Sequence, residues 1–374
     1  MKINTITCHR VFNHGASLQQ LALLHHLQSL GHNVQTINYQ PNYLADHYRY
    51  TGVPSPKFKN NVIFRLLYIV AKFPERLNNR KRREAFDAFE KKYIPQTKKL
   101  YRTNEQLKDN LPEADAYICG SDQIWNTLFE NGKDPAFYLD FVPNNKLKIS
   151  YAASFATENI NNDIKNFVEE KVKAIDCISV RESSGLKILE NLGIENVTHV
   201  TDPVFLLSKE DWEKKFITKE IENKHYILVY DFDNNPLIKE YALYLKEKKG
   251  FEIVALSPKI KYADRYYWSI GPDKFLNLLH KSSFVLANSF HATAFSFIFE
   301  KQCLIFNRNT GINTRMRDFL QEYGLLKRMV LDFNENIIDD IIDYSEIKPQ
   351  LQKNILKSKS FLNQSLQHEK LDNK

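Results

Sequence analysis

The sequence predicts an α/β protein made of two successive parallel-sheet domains facing a cleft. Three observations carry this. The chain has 374 residues, too many for one ordinary α/β domain and suited to two. Short apolar runs alternate with amphipathic helical ones, the rhythm that builds parallel sheets. That rhythm starts twice, once at the N-terminus and again near His225. Hydrophobic residues make up 43% of the chain, enough for two cores.

The first domain is expected over residues 1–207. Ile3 to Thr7 reads as a strand, followed by the loop His14-Gly15-Ala16-Ser17. Ser17 is a natural N-cap for a helix whose apolar face is Leu18, Leu21, Leu24 and Leu27. Gly31 ends it, and Val34 to Tyr39 returns as a strand. Residues 42–110 break the rhythm as a helical insertion: Pro54 and Pro56 mark a loop, and helices fit Val62–Phe73 and Arg76–Tyr93. Strands resume at Ala116–Gly120, Lys148–Ala153, Cys177–Val180 and Val197–Thr201, with helices at Asn162–Ile175 and Ser184–Leu192. The second domain is expected over 208–345, with strands at Tyr226–Tyr230, Phe251–Leu256, Phe284–Asn288 and Cys303–Phe306. Its helices are expected at Pro236–Lys248, Pro272–His280, Ala292–Phe299 and Thr314–Tyr323. In residues 346–374, Leu351, Ile355, Leu362 and Leu366 share one helical face, which predicts a helix packing back on the body.

Charge is uneven. The formal net charge is +7, yet residues 57–102 hold 14 Lys/Arg against 4 Asp/Glu, or +10, leaving −3 elsewhere. A solvated helical surface is the plain account; an anionic partner such as a membrane surface or a lipid-linked phosphate is the sharper one. No nucleic-acid motif accompanies the charge, so nucleic acid is not expected. The four cysteines are far apart and form no CxxC pair, which argues for reduced thiols and against a zinc site. No signal peptide or membrane-spanning run is read, so a cytoplasmic location is expected.

Ligands of such sheets lie beyond the carboxyl ends of the strands, and polar clusters stand there. Gly120-Ser121-Asp122-Gln123-Ile124-Trp125-Asn126 follows one strand; its Ser, Asp and Gln can hydrogen-bond a sugar and its Trp can stack on one. Asn288-Ser289-Phe290-His291 joins a strand to a helix start, where free amides and the helix dipole suit phosphate. Arg308, Arg315 and Arg317 follow the next strand, and guanidinium forks match carboxylate and phosphate. Arg181-Glu182 and Asp202-Pro203 end two more strands; Arg181 is read as a cleft residue or as the partner of Glu182 or a helix end, and Asp202 as a catalytic carboxylate or a turn cap. The Asn13 to Leu18 loop is neither a dinucleotide fingerprint nor a phosphate-binding P-loop.

In this order, Asn13-His14-Gly15-Ala16-Ser17-Leu18-Gln19, GSDQIWN from Gly120, Ser150-Tyr151-Ala152-Ala153-Ser154-Phe155, Ser179-Val180-Arg181-Glu182, Asp202-Pro203-Val204-Phe205 and Asn288-Ser289-Phe290-His291 resemble the polysaccharide pyruvyl transferase family. The resemblance implies two facing Rossmann-like domains similar to GT-B glycosyltransferases, with the acceptor on the first and the donor on the second. It implies phosphoenolpyruvate as co-substrate, no cofactor and no metal, and a sugar diol as acceptor, lipid-linked or not. The product it implies is a pyruvate ketal. His291 and Asp122 are then the expected catalytic residues. Arg181, Ser289, Arg308 and Arg315 are the expected donor contacts. Some relatives carry an arginine where this chain has Ser289, so Arg308 or Arg315 is expected to substitute. His14, Ser121, Gln123, Trp125 and Asn126 are the expected acceptor contacts. The rivals are a nucleotide-sugar glycosyltransferase on the same architecture and a non-catalytic sugar- or lipid-binding protein.

Overall fold

The computed structural model of the chain describes residues 1–46, 51–53, 58, 61–218, 225–257 and 260–368. The first sheet is built from β1 (Lys2–Ile6), β2 (Asn33–Thr36), β3 (Ala116–Cys119) and β4 (Leu147–Ser150), in the spatial order β2-β1-β3-β4. A parallel pair, β5 (Ile178–Val180) and β6 (Val197–His199), continues it through bridges from Ile149 to Cys177 and from Ala153 to Val180. The second sheet holds β7 (Tyr226–Tyr230), β8 (Glu252–Ala255), β9 (Arg265–Tyr266), β10 (Phe284–Ala287), β11 (Cys303–Phe306) and β12 (Met329–Val330). Its order is β12-β11-β10-β7-β8-β9, the doubly wound Rossmann arrangement. All these pairings are parallel. Strands such as Tyr226–Tyr230 and Cys303–Phe306 are buried along their whole length, as a sheet covered on both faces requires.

Chain order reverses between β1 and β3 in one sheet and between β7 and β10 in the other. Those switch points open crevices at the strands' carboxyl ends. The two sheets also share one apolar cluster, which runs from Ile3, Leu24 and Ile149 to Leu228, Phe275 and Val285. The helix Tyr344–Leu366 spans both bodies. Its Tyr344 hydroxyl donates to Lys301 O (2.6 Å), and further along its Ser358 Oγ accepts from Thr201 N (2.8 Å).

Several local expectations are corrected. Asn13, not Ser17, caps the first helix, which starts at His14: Asn13 Oδ1 accepts from Gly15 N (2.9 Å) and Ala16 N (3.3 Å). The helix after β10 starts at Phe290, with Ser289 as its cap. The insertion's helices run Val62–Asn78 and Arg80–Tyr93. The Pro54/Pro56 loop lies outside the described residues, as do Lys57 and Lys59 of the basic segment. A helix at Lys209–Phe216, closed by a Ser208/Asp211 capping box, was not anticipated.

Candidate active site

The two bodies meet through loops that leave the switch points. Gly120 turns the chain out of β3 with φ +118°, where a Cβ would strike Tyr151 O at 2.1 Å, so only glycine fits. Ser121 is thereby locked beneath the loop: its N donates to Gln19 Oε1 (3.2 Å) and its hydroxyl to Ala152 O (2.8 Å). Asp122 follows and faces the other body. Arg181 leaves β5 and Asp202 precedes the short helix Pro203–Leu206. From the second body come Phe290 and His291, in the first turn of Phe290–Ile298, and Arg315, in the first turn of Thr314–Glu322.

These side chains form one buried polar chain across the interface. Arg181 NH1 pairs with Asp202 Oδ2, and its NH2 lies 3.8 Å from Asp122 Oδ1. Arg315 NH1 approaches the same Asp122 oxygen at 3.4 Å. His291 Nε2 stands 3.5 Å from Asp202 Oδ2. Both guanidiniums lie over the Phe290 ring, at 4.6 Å for Arg181 and 5.8 Å for Arg315. The His291 ring rests on Gly15, where a Cβ would come within 2.0 Å of Nδ1. That contact explains why the first turn of the helix His14–Ser29 carries a glycine there.

Three carboxylates surround the two guanidiniums: besides Asp122 and Asp202, Glu182 Oε2 lies 3.8 Å from Arg181 Nε, and together they raise Arg181 above its ordinary value despite its burial. Burial alone would raise the Asp202 carboxyl, but the His291 and Arg181 charges outweigh it and hold the group well below the usual carboxylate range. Arg315 is pushed down to about 10, by burial first and by the neighbouring Arg181 second. Arg181 Nε and NH2 and Arg315 Nε are buried without a hydrogen-bond partner. Buried guanidinium donors without acceptors are costly, and a carboxylate or phosphate would satisfy them.

Beside this chain a cavity of about 350 Å³ opens between the bodies. Phe12 and Asn13 line it from the first body, Asp231, Phe232 and Trp268 from the second, and Arg76, Arg82 and Arg83 from the helical insertion. Asn13 is two residues from the Gly15 that carries His291. Arg82 spans the cavity wall, donating to Trp268 O (2.7 Å) and Phe12 O (2.8 Å) and covering the Trp268 ring at 4.1 Å. Burial raises the Asp231 carboxyl, whose oxygens accept from Asn288 Nδ2, Asp233 N and Asn235 N. Among the described residues no group of three or more His, Cys, Asp or Glu side chains could hold a metal ion.

Of the residues singled out in the sequence, the structure gathers Asp122, Arg181, His291 and Arg315. Arg308 stands apart, 3.5 Å from Asp233 and over the ring of Phe232, itself a lining residue of the cavity, at 4.6 Å. Ser289 is occupied as a helix cap, its hydroxyl accepting from Ala292 N (3.4 Å). The acceptor set is corrected. Trp125 is fully buried, donates Nε1–H to Phe137 O (3.1 Å) and stacks on Tyr138 at 5.4 Å, so it has no free face for a sugar. Gln123 and Asn126 bind each other (2.9 Å) and hold their loop. His14 is packed among Phe86, Tyr230 and Phe275, and burial keeps its imidazole neutral. Ser121 is buried, gives its hydroxyl proton to Ala152 O and lies 3.4 Å from Asp202 Oδ2. Sequence reasoning assigned no role to Arg82, Asp231 or Trp268; the strand-end position of Asp231 was the one readable signal among them.

Comparison with solved structures places the fold. MnaA of S. aureus, solved with UDP, is 15% identical with a TM-score of 0.53, each chain being covered in full. UDP-GlcNAc 2-epimerase from Methanocaldococcus jannaschii is 12% identical with a TM-score of 0.52, covering 99% of this chain and 100% of that one. A putative UDP-N-acetylglucosamine 2-epimerase from Listeria monocytogenes gives 14% and 0.51, covering 95% and 90%. At such identities the likeness is one of fold, a GT-B-like pair of Rossmann domains. No curated protein sequence matches. The family model described as polysaccharide pyruvyl transferase matches residues 13–310, a span that contains both the GSDQIWN loop and the His291 helix start, and the chain therefore belongs to the polysaccharide pyruvyl transferase family.

Proposed function

We propose that the protein transfers the pyruvyl group of phosphoenolpyruvate to two hydroxyls of a sugar, forming a cyclic ketal and releasing phosphate. The observation that carries this reading is the buried Arg181–Arg315 pair with unfilled donors beside the His291–Asp202 couple. Phosphoenolpyruvate offers a carboxylate and a phosphate, the two anions that guanidinium forks match. His291, backed by Asp202, delivers a proton to the donor's methylene carbon, and the cationic character that develops at C2 is taken up by one sugar hydroxyl. Phosphate leaves that carbon, and the second hydroxyl closes the ring. The two hydroxyl protons are lost, one proton is gained at the methyl group, and the phosphate carries the balance. Asp122, bracketed by both arginines, is the candidate to accept a hydroxyl proton. Trp268 and Phe232 supply the cavity's aromatic surface for the acceptor in place of Trp125.

The test is direct. Phosphoenolpyruvate should raise the melting temperature, and phosphate release should require both phosphoenolpyruvate and a sugar diol. His291→Ala should lose about a hundredfold or more in kcat while still being stabilised by the donor. Stabilisation by a UDP-sugar and none by phosphoenolpyruvate would transfer the assignment to nucleotide-sugar chemistry on the same fold.

A further inference from the structure

A surface helix ordinarily turns its apolar side to the protein. The helix Val62–Asn78 does the reverse. Ile63, Leu66, Leu67, Val70 and Leu77 are between 50% and 69% exposed. At 100° per residue they fall within an arc of about 100°, one continuous stripe. The opposite side is covered within the insertion: Arg76 is buried, and its guanidinium donates to Gly52 O (2.5 Å). The helix is closed properly at its start, where Asn61 Oδ1 accepts from Ile63 N (2.9 Å) and Phe64 N (3.2 Å). No described helix is long and apolar enough to cross a membrane.

Positive charge accompanies the stripe. From Arg65 to Arg83 there are seven Lys/Arg and one Asp/Glu; Arg76 and Arg82 are buried, and the exposed Arg65, Arg80 and Lys81 form the flank. An apolar helical face with a basic flank lies in the headgroup region of an anionic bilayer. We propose that this face docks on anionic lipid, with the stripe sunk into the acyl boundary and the basic residues on the headgroups. A second copy of the chain fits worse: a twofold contact would bring two segments of +10 together. Arg76 and the following Arg82 and Arg83 also line the cavity between the bodies. Docking by the outer stripe therefore holds the cavity wall that Arg76 supplies within about one helix diameter, ~10 Å, of the lipid surface.

Vesicle sedimentation with the full chain tests this. Wild-type protein should bind phosphatidylcholine vesicles containing about 30% phosphatidylserine and not pure phosphatidylcholine, with binding weakening as salt rises. Leu67→Glu with Val70→Glu should cut that binding by about tenfold or more, and Arg80→Glu with Lys81→Glu by a similar factor. All four positions are exposed, so the melting temperature should hold in both variants. Absent binding, equal binding to both vesicle types, or unchanged binding by the variants overturns the proposal. So does a dimer in sedimentation equilibrium that the apolar variant dissociates, which would give the face to a second copy. Lipid binding is read without substrate, so its failure leaves the reading of the cleft untouched.

Discussion

Asp202 uses its two oxygens differently. Oδ1 accepts from Val204 N (3.0 Å) and fixes the Asp-Pro turn, whereas Oδ2 faces Arg181, His291 and Ser121. Of the two readings of Asp202, catalytic carboxylate and turn cap, Oδ1 makes the cap, while Oδ2 is a charge partner. Removing the charge leaves Arg181 buried with one counter-ion fewer. Asp202→Asn should therefore cost about 3 kcal/mol of stability. Arg181→Met combined with Asp202→Asn, which keeps the turn's acceptor, should lose less than the sum of the two single losses and remain inactive; urea unfolding of the single and double variants measures the coupling. Gly15 has a different weakness. Its backbone is helical, so the cost of Gly15→Ala lies entirely in the clash with His291 Nδ1. Overpacking of this kind costs about 1–3 kcal/mol. The displaced imidazole should also lower kcat well beyond what the small change in melting temperature accounts for, which a comparison of kcat with donor-induced thermal shift would show.

Elements were legible to different depths. Buried strands announce themselves as short apolar runs, and Cys303–Phe306 falls where the pattern put it. The two-residue strands β9 and β12 carry too little pattern to register. The Lys209–Phe216 helix had a readable start in its Ser208…Asp211 box. The strand-end loops were identifiable because polar residues interrupt apolar runs there, but their orientation was not. Trp125 and Trp268 show the limit. The first sits in a polar heptapeptide yet turns into the core; the second sits in an irregular stretch yet faces the cavity, through contacts with Arg82, 186 residues distant. Pairings that arise only when an insertion folds over a cleft leave no local mark. Trp125→Ala should accordingly behave as a core deletion, losing about 3–5 kcal/mol of stability. The acceptor KM of the enzyme that remains folded should not change; a selective rise in that KM would return Trp125 to the sugar site.

Over the whole molecule, buried neutral histidines set the acid limit. Burial, with Arg10 nearby, pushes His9 down to about 3, and burial with Lys359 pushes His26 down to about 4. His14 lies well below its ordinary value for the same first reason. A base whose folded value is depressed contributes stability that is present above its unfolded value near 6.5 and is lost as pH falls through the folded value. Glu90 works the other way. Burial raises it to about 7 despite Arg10 at 3.7 Å, so its share is present below about 4.5 and lost as pH rises through 7. Among these four groups, between about pH 6.5 and 4.5, the three histidines outweigh the one carboxyl by two protons, a contribution of at most about 3 kcal/mol per pH unit; His25 and His32, lowered, add to it, and Asp134, Asp231 and Glu322, raised, offset it. Unfolding free energy should therefore peak near neutrality and fall steeply below pH 6. His9→Leu should reduce the slope between pH 6 and 4 by about one proton, as read from urea titrations at a series of pH values. An unchanged slope would mean that His9 takes up its proton within the fold, and that the interior around the first strand's exit admits water.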